Sequence, residues 1–158
     1  MPLIFQSMIY RTDLHSNRDV LYLFGDNEER RGLGGQAAEM RGERNAHGIR
    51  VKKAPSMDKW ALWTDEDYER VVPLIKADLE KPYRYIGCGR TVVVPLAGLG
   101  TERAALEYAA PKILDYLVMK LGTLRELGEQ IRRDQEAEWV GPRELADQGQ
   151  APQPDYTL

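Results

Sequence analysis

The sequence predicts an α/β domain with helices on the faces of its sheet. Three observations carry that expectation. Short apolar, β-prone runs alternate along the chain with segments of helical period. Two glycine-rich stretches, one ending at Gly35 and one ending at Gly100, each follow such a run and precede a helical pattern. The length of 158 residues, 42% of them hydrophobic, suits one domain with a real core.

Taken in order, Leu3 to Tyr10 alternates loosely and reads as a first strand. Arg11 to Asp19 is polar and reads as a loop, with Asp13 or Ser16 capping a short turn. Val20 to Phe24 is uniformly apolar, as a strand buried on both faces would be. Gln36 to Arg41 reads as a helix, followed by a polar loop to Gly48. Ile49 to Lys53 is a short strand before the break at Pro55. Met57 to Trp63 holds Trp60 and Trp63, read as core or rim aromatics.

Thr64 opens a helix with Asp65, Glu66 and Asp67 in its first turn. Tyr68, Val71, Val72, Leu74, Ile75 and Leu79 lie near one face of it. Pro73 is expected to kink this helix or end its first half, and Pro82 to end it. Tyr83 to Gly89 is a connection, and Arg90 to Pro95 is the strongest strand. Leu96 to Thr101 is a second glycine loop, with Thr101 as the cap of a helix from Glu102 to Leu121 that Pro111 interrupts. Beyond Gly122 a charge-rich amphipathic helix carries Leu124, Leu127 and Ile131. From Gly141 the tail is expected to be loosely held. The chain thus divides into a body, 1–121, and an extension, 122–158, which offers a surface to a sister chain.

Composition narrows the function. The net charge of −3 argues against a duplex nucleic-acid binder, which carries a basic excess. The lone Cys88 has no partner for a disulfide or a structural zinc site, in keeping with a reducing, cytoplasmic setting. His15 and His47 are too few for most histidine metal sites, and no metal or cofactor is expected. No apolar run approaches the roughly 20 residues that span a bilayer, and no secretory leader is visible, so no membrane partner is expected.

The first glycine stretch is the centre of the functional reading. It runs Gly25-Asp26-Asn27, then Arg31-Gly32-Leu33-Gly34-Gly35-Gln36-Ala37. A strand, a glycine turn and a helix start together make a place for a phosphate, because glycine lets backbone N–H groups approach an anion. The spacing matches neither dinucleotide nor P-loop fingerprint. Asp26 and Asn27 stand at the strand's carboxyl end, where they either orient a ribose and activate water or simply start an Asx turn. Arg31, Arg41 and Arg44 are clamp candidates, with Arg31 foremost because it lies within the loop. Lys52 and Lys53 read as solvated strand ends, and Cys88 as a small residue in a turn.

The two stretches together resemble the two phosphate loops of macro domains. Val92-Val93-Val94-Pro95-Leu96-Ala97-Gly98-Leu99-Gly100-Thr101 is similar to the second loop, and Gly25 through Ala37 to the first. The likeness runs roughly from Leu21 to Leu117. It extends to small macro-like proteins, many from bacteriophages and mostly of unassigned function. The resemblance implies a three-layer α/β/α fold with a mixed, mostly parallel sheet and a ligand of the ADP-ribose kind. Asp26 or Asn27 would face the ribose and be the catalytic pair in any hydrolysis of an ADP-ribosyl glycosidic linkage. The backbone of Gly34 and Gly35 would hold one phosphate and that of Gly98, Leu99, Gly100 and Thr101 the other, with Gly25, Arg31, Gly32 and Gln36 also at the ligand. Asp26 replaces the first of the two adjacent asparagines usual in hydrolytic macro domains. The Pro95-to-Thr101 block also resembles the loop of nucleoside-monophosphate phosphoribohydrolases. Ala104 stands where that family has its glutamate. A non-catalytic assembly protein is the alternative from another class.

Overall fold

A computed structural model describes residues 2–139, with 97, 98 and 100–104 as backbone only. Four strands form one sheet: β1 (Leu3–Gln6), β2 (Leu21–Asn27), β3 (Ala46–Lys52) and β4 (Val92–Pro95), in the order β1-β4-β2-β3. Among the described residues every strand pairing is parallel, and an isolated antiparallel bridge joins Lys52 to Leu62. The mixed sheet expected from the resemblance is corrected to an all-parallel one. Each connection between consecutive strands contains a helix, which returns the chain to the same end of the sheet.

Among the described residues, α1 (Arg11–Ser16), α2 (Ala37–Met40) and α3 (Tyr68–Gly87) connect the strands, and α4 (Leu96–Ala109) and α5 (Pro111–Glu138) follow β4. Side chains alternate across β2 and split the interior in two. Tyr22 and Phe24 pack with Ile9, Leu14, Ala37 and Met40 of the α1–α2 side. Leu21 and Leu23 pack with Val71, Ile75, Leu79 and Ile86 of α3 and with Ile113, Leu117 and Leu124 of α5. Helices therefore lie on both faces, as crossover handedness requires. The step from β2 to β3 runs one way along the sheet and the step from β3 to β4 runs back, so right-handed crossovers put α2 and α3 on opposite faces. The arrangement is compatible with a three-layer α/β/α fold.

Several elements differ from their expected bounds. Arg11–Ser16 is helical where a loop is predicted; Asp13 accepts from the Tyr10 N–H at 2.9 Å and closes its first turn. The helix after the glycine turn shrinks to the single turn Ala37–Met40. Thr64 does cap, with its N–H bonded to Asp67 at 2.9 Å, but the cap opens a 3-10 turn, Asp65–Asp67, that feeds α3. Helix α3 runs through both Pro73 and Pro82. Pro82 withdraws the donor that would bond the Asp78 carbonyl, and His47 Nε2 supplies it instead at 2.6 Å.

The second glycine stretch is not a loop. Pro95 ends β4 and the chain enters α4 directly at Leu96, so Pro95, not Thr101, is the N-cap residue. The helix breaks at Ala110, and Pro111 takes the first position of α5, where its missing N–H has no intrahelical partner to lose. Helix α5 then continues past Gly122. Leu124 is fully buried in the larger cluster, and Gly128 packs so closely that an added Cβ would stand 3.1 Å from Pro2. The tail from 140 lies outside the described residues.

Candidate functional site

Strand β2 ends in the centre of the site. Its register against β3 shifts between Asp26 and Asn27, so Asp26 pairs with Arg50 and Asn27 with Lys52. The chain then turns through Arg30, which has φ of 55°. Asn27 shapes the turn: its Oδ1 accepts from the Glu29 N–H at 3.0 Å and its Nδ2 donates to the Arg31 carbonyl at 2.8 Å. This is the Asx turn weighed from the sequence. Gln36 closes the other end. Its amide accepts from the Ile9 N–H at 2.8 Å and donates to the Ile9 carbonyl at 2.9 Å, tying the glycine turn to the segment after β1.

Between these ties lies an open cavity of about 390 Å³. Gly25, Asn27, Arg31, Gly32, Gly34, Gly35 and Gln36 all line it, so the structure brings the first group of expected site residues together. Gly32 and Gly35 have φ of 104° and 56°, conformations that favour glycine. A Cβ at Gly34 or Gly35 would meet nothing within 4 Å, which leaves the backbone there open to a ligand. Met8, Arg41, Lys52, Pro55, Ser56 and Met57 complete much of the wall. Met8, Pro55 and Ser56 were not expected there. They follow the carboxyl ends of β1 and β3, and the signal that finds them is the shared strand edge.

Leu99 is corrected. It is buried in the larger apolar cluster under α4, because helical backbone at 96–109 turns it toward the sheet. Gly98, Gly100 and Thr101 belong to the same helix, and their contacts lie outside the described residues. Asp26 does not line the cavity either. Its carboxylate is buried and faces two arginines: Arg41 Nη2 on Oδ1, and Arg30 Nη1 on Oδ2 at 3.2 Å, with the Asn27 N–H on Oδ1 at 2.9 Å. Burial acts to raise its pKa, but the bonds from Arg41, Asn27 and Arg30 outweigh it and hold the carboxyl below its ordinary range. Arg41 in turn lines the cavity. Its Nε donates to the Gly32 carbonyl at 2.8 Å, and its guanidinium stands 5.3 Å over the Phe24 ring.

Behind the cavity, Arg30 links Asp26 to Asp78 of α3, with Nη2 on Oδ1 at 2.6 Å and Nη1 on the Gly48 carbonyl at 2.8 Å. Arg50 holds the other side of Asp78 through Nε, Nη2 and its backbone N–H, all at 2.9 Å. An added Cβ at Gly48 would stand 2.6 Å from Asp26 Oδ2, so only glycine fits there without a shift. His47 closes the network on the Asp78 carbonyl, and that bond requires the proton on Nε2.

Burial lowers the His47 pKa from its ordinary 6.5, more than the Asp78 carbonyl raises it; Lys81 and Arg30 push the same way as burial. The folded state therefore prefers neutral His47. Below pH 6.5 the unfolded chain binds the proton first, so stability falls as pH drops from 6.5 toward the lower folded value. In urea titrations, wild type is expected to lose stability between pH 7 and 5.5 and His47→Gln to lose less. Parallel profiles would refute this origin. Glu43 works in a separate window. Bonds from Arg18, His15 and Arg11 hold it at about 2, so its contribution fades only below its ordinary 4.5.

Fold and site define an α/β domain with a parallel sheet and a cation-lined cavity at the carboxyl edge of its strands. Residues 4–120 match the family of unknown function DUF7831, and the chain belongs to that family. No curated protein and no solved structure matches it significantly.

Proposed function

We propose that this chain is a macro-like domain that binds a nucleotide ligand, of the ADP-ribose kind or a related nucleotide, in the cavity at the first glycine turn. The observation that carries the reading is the lining. Arg31, Arg41 and Lys52 share a wall with the open backbone of Gly34 and Gly35, and no carboxylate is among the described lining residues. Cations and backbone N–H groups attract an anion. Met8, Met57 and Pro55 give the same cavity an apolar part, as a base or sugar needs.

Asp26 spends its oxygens on Arg41, Arg30 and Asn27, and Asn27 spends its amide on the turn, so neither is placed to activate water. The test is calorimetric titration with ADP-ribose, AMP and NAD on wild type and Gly34→Glu. Glutamate there has room and brings a negative charge into the cavity. Affinity is expected to fall by about tenfold or more, on the order of the 1.4 kcal/mol that a repelled charge readily costs. Absence of binding by folded wild type to all three would refute the nucleotide reading.

A further inference from the structure

We infer that the cavity receives a terminal phosphomonoester between two arginines of different kinds, Arg41 as a fixed wall and Arg31 as a movable arm that Glu29 holds at rest. The inference rests on the nucleotide reading and narrows it to the group the site grips.

Arg41 is held on three sides, by Asp26, by the Gly32 carbonyl and by the Phe24 ring. Its charge is balanced by Asp26, and its geometry is set before any ligand arrives. Arg31 is the opposite case. Asn27 pins its backbone carbonyl at 2.8 Å, but its side chain is 68% exposed and meets Glu29 only at 3.3 and 3.4 Å. An exposed ion pair of that length holds weakly. A phosphoryl group brings about −1.5 to −2 charge near pH 7 and three acceptor oxygens, a stronger partner for a guanidinium than one carboxylate. Arg31 therefore leaves Glu29 for an entering phosphate.

The remaining polar wall explains why a phosphomonoester is selected. Asn27 and Gln36 each engage both amide atoms with backbone groups of the protein. Arg31 and Arg41 bring guanidinium donors to the lining, and a phosphoryl group is made of acceptors. Arg31 lies in the turn after β2 and Arg41 directly follows α2, so both flank the first glycine stretch. Leu99, expected at a second phosphate, lies in the core instead. A single phosphoryl group at a ligand's end fits this arrangement better than two linked phosphates inside a longer ligand.

The test is calorimetry on the full chain with AMP, ADP-ribose and adenosine, using wild type, Glu29→Gln and Arg31→Ala. Both substituted residues are exposed, and circular dichroism checks that each variant keeps the fold. Wild type is expected to bind AMP more tightly than ADP-ribose, and adenosine more weakly than either. Freeing Arg31 in Glu29→Gln is expected to tighten AMP by about two- to fivefold, and Arg31→Ala to weaken it by about tenfold, as for loss of one charge-assisted contact. ADP-ribose binding more tightly than AMP overturns the inference and leaves the nucleotide reading standing. The same holds if Glu29→Gln and Arg31→Ala leave AMP affinity unchanged. Wild type binding none of the three compounds overturns both.

Discussion

Replacing Asp78 by alanine is expected to lower the unfolding free energy by about 3 kcal/mol, the low end of the range for removing one partner from a buried ion cluster. Asp78 is 4% exposed and receives five charge-assisted or backbone bonds, counted as two at Oδ2 and two at Oδ1 from Arg30 and Arg50, and one at its carbonyl from His47. Alanine keeps the last and strips the other four. The low end applies because Arg30 and Arg50 retain 39% and 20% of their side-chain exposure, so water reaches them when the carboxylate is gone. Urea unfolding followed by circular dichroism measures the effect as a lower midpoint at unchanged slope. A loss under about 1 kcal/mol would show that the arginines repartner freely and that the network does not hold the site. The same variant is expected to loosen the turn at Arg30, whose left-handed backbone is kept in place by Asp26, Asp78 and the Gly48 carbonyl.

Leu124→Ala is expected to cost about 3 kcal/mol, within the 2–5 kcal/mol range for a buried leucine. Leu124 lies beyond the apparent change of character at Gly122, yet it is fully buried against the same cluster as Leu21, Ile75 and Ile113. Helix α5 carries the stripe Ile113, Leu117, Leu124 and Gly128 without interruption, so its later turns share the core of its earlier ones. The measurement is again the urea midpoint. A change under about 0.5 kcal/mol, the size usual for a surface substitution, would mean that the later turns of α5 are a separable appendage.

Much of the site was legible because it is local in sequence. The turn from Gly25 to Ala37 is one continuous stretch after an apolar run, and glycine needs no neighbours to signal a backbone position that other residues avoid. Seven residues expected to meet a ligand there do line one cavity. The second stretch misled for an instructive reason. Gly98 and Gly100 lower helix propensity by only about 1 kcal/mol each. The start at Pro95 and the burial of Leu99 and Leu106 beneath α4 favour a helix there. Tertiary burial overrides a weak local preference of that size.

Prolines gave a similar lesson. Pro73 and Pro82 each remove one helical hydrogen bond, and sequence reasoning makes Pro73 a kink or a break and Pro82 a stop. Pro82 is tolerated because the carbonyl it orphans has another donor, and that donor, His47, lies 31 positions away on β3. Asp26 shows the same dependence on distant partners. Beside a glycine turn it reads as a catalytic carboxylate, but Arg41 and Arg30 turn it inward and make it the support of a cavity-lining arginine.

The amino-acid sequence by itself determined the alternation of strands and helices, the place of the glycine turn and the cations near it. These follow from hydrophobic period and residue conformational freedom, which act over a few residues. Only the tertiary structure decided that all four strands run parallel and that the second stretch is a helix. It also decided that Met8, Lys52 and Met57 meet the first turn at one strand edge. Strand order depends on which faces bury together across the whole chain, and a buried charge takes its role from partners that no local window contains.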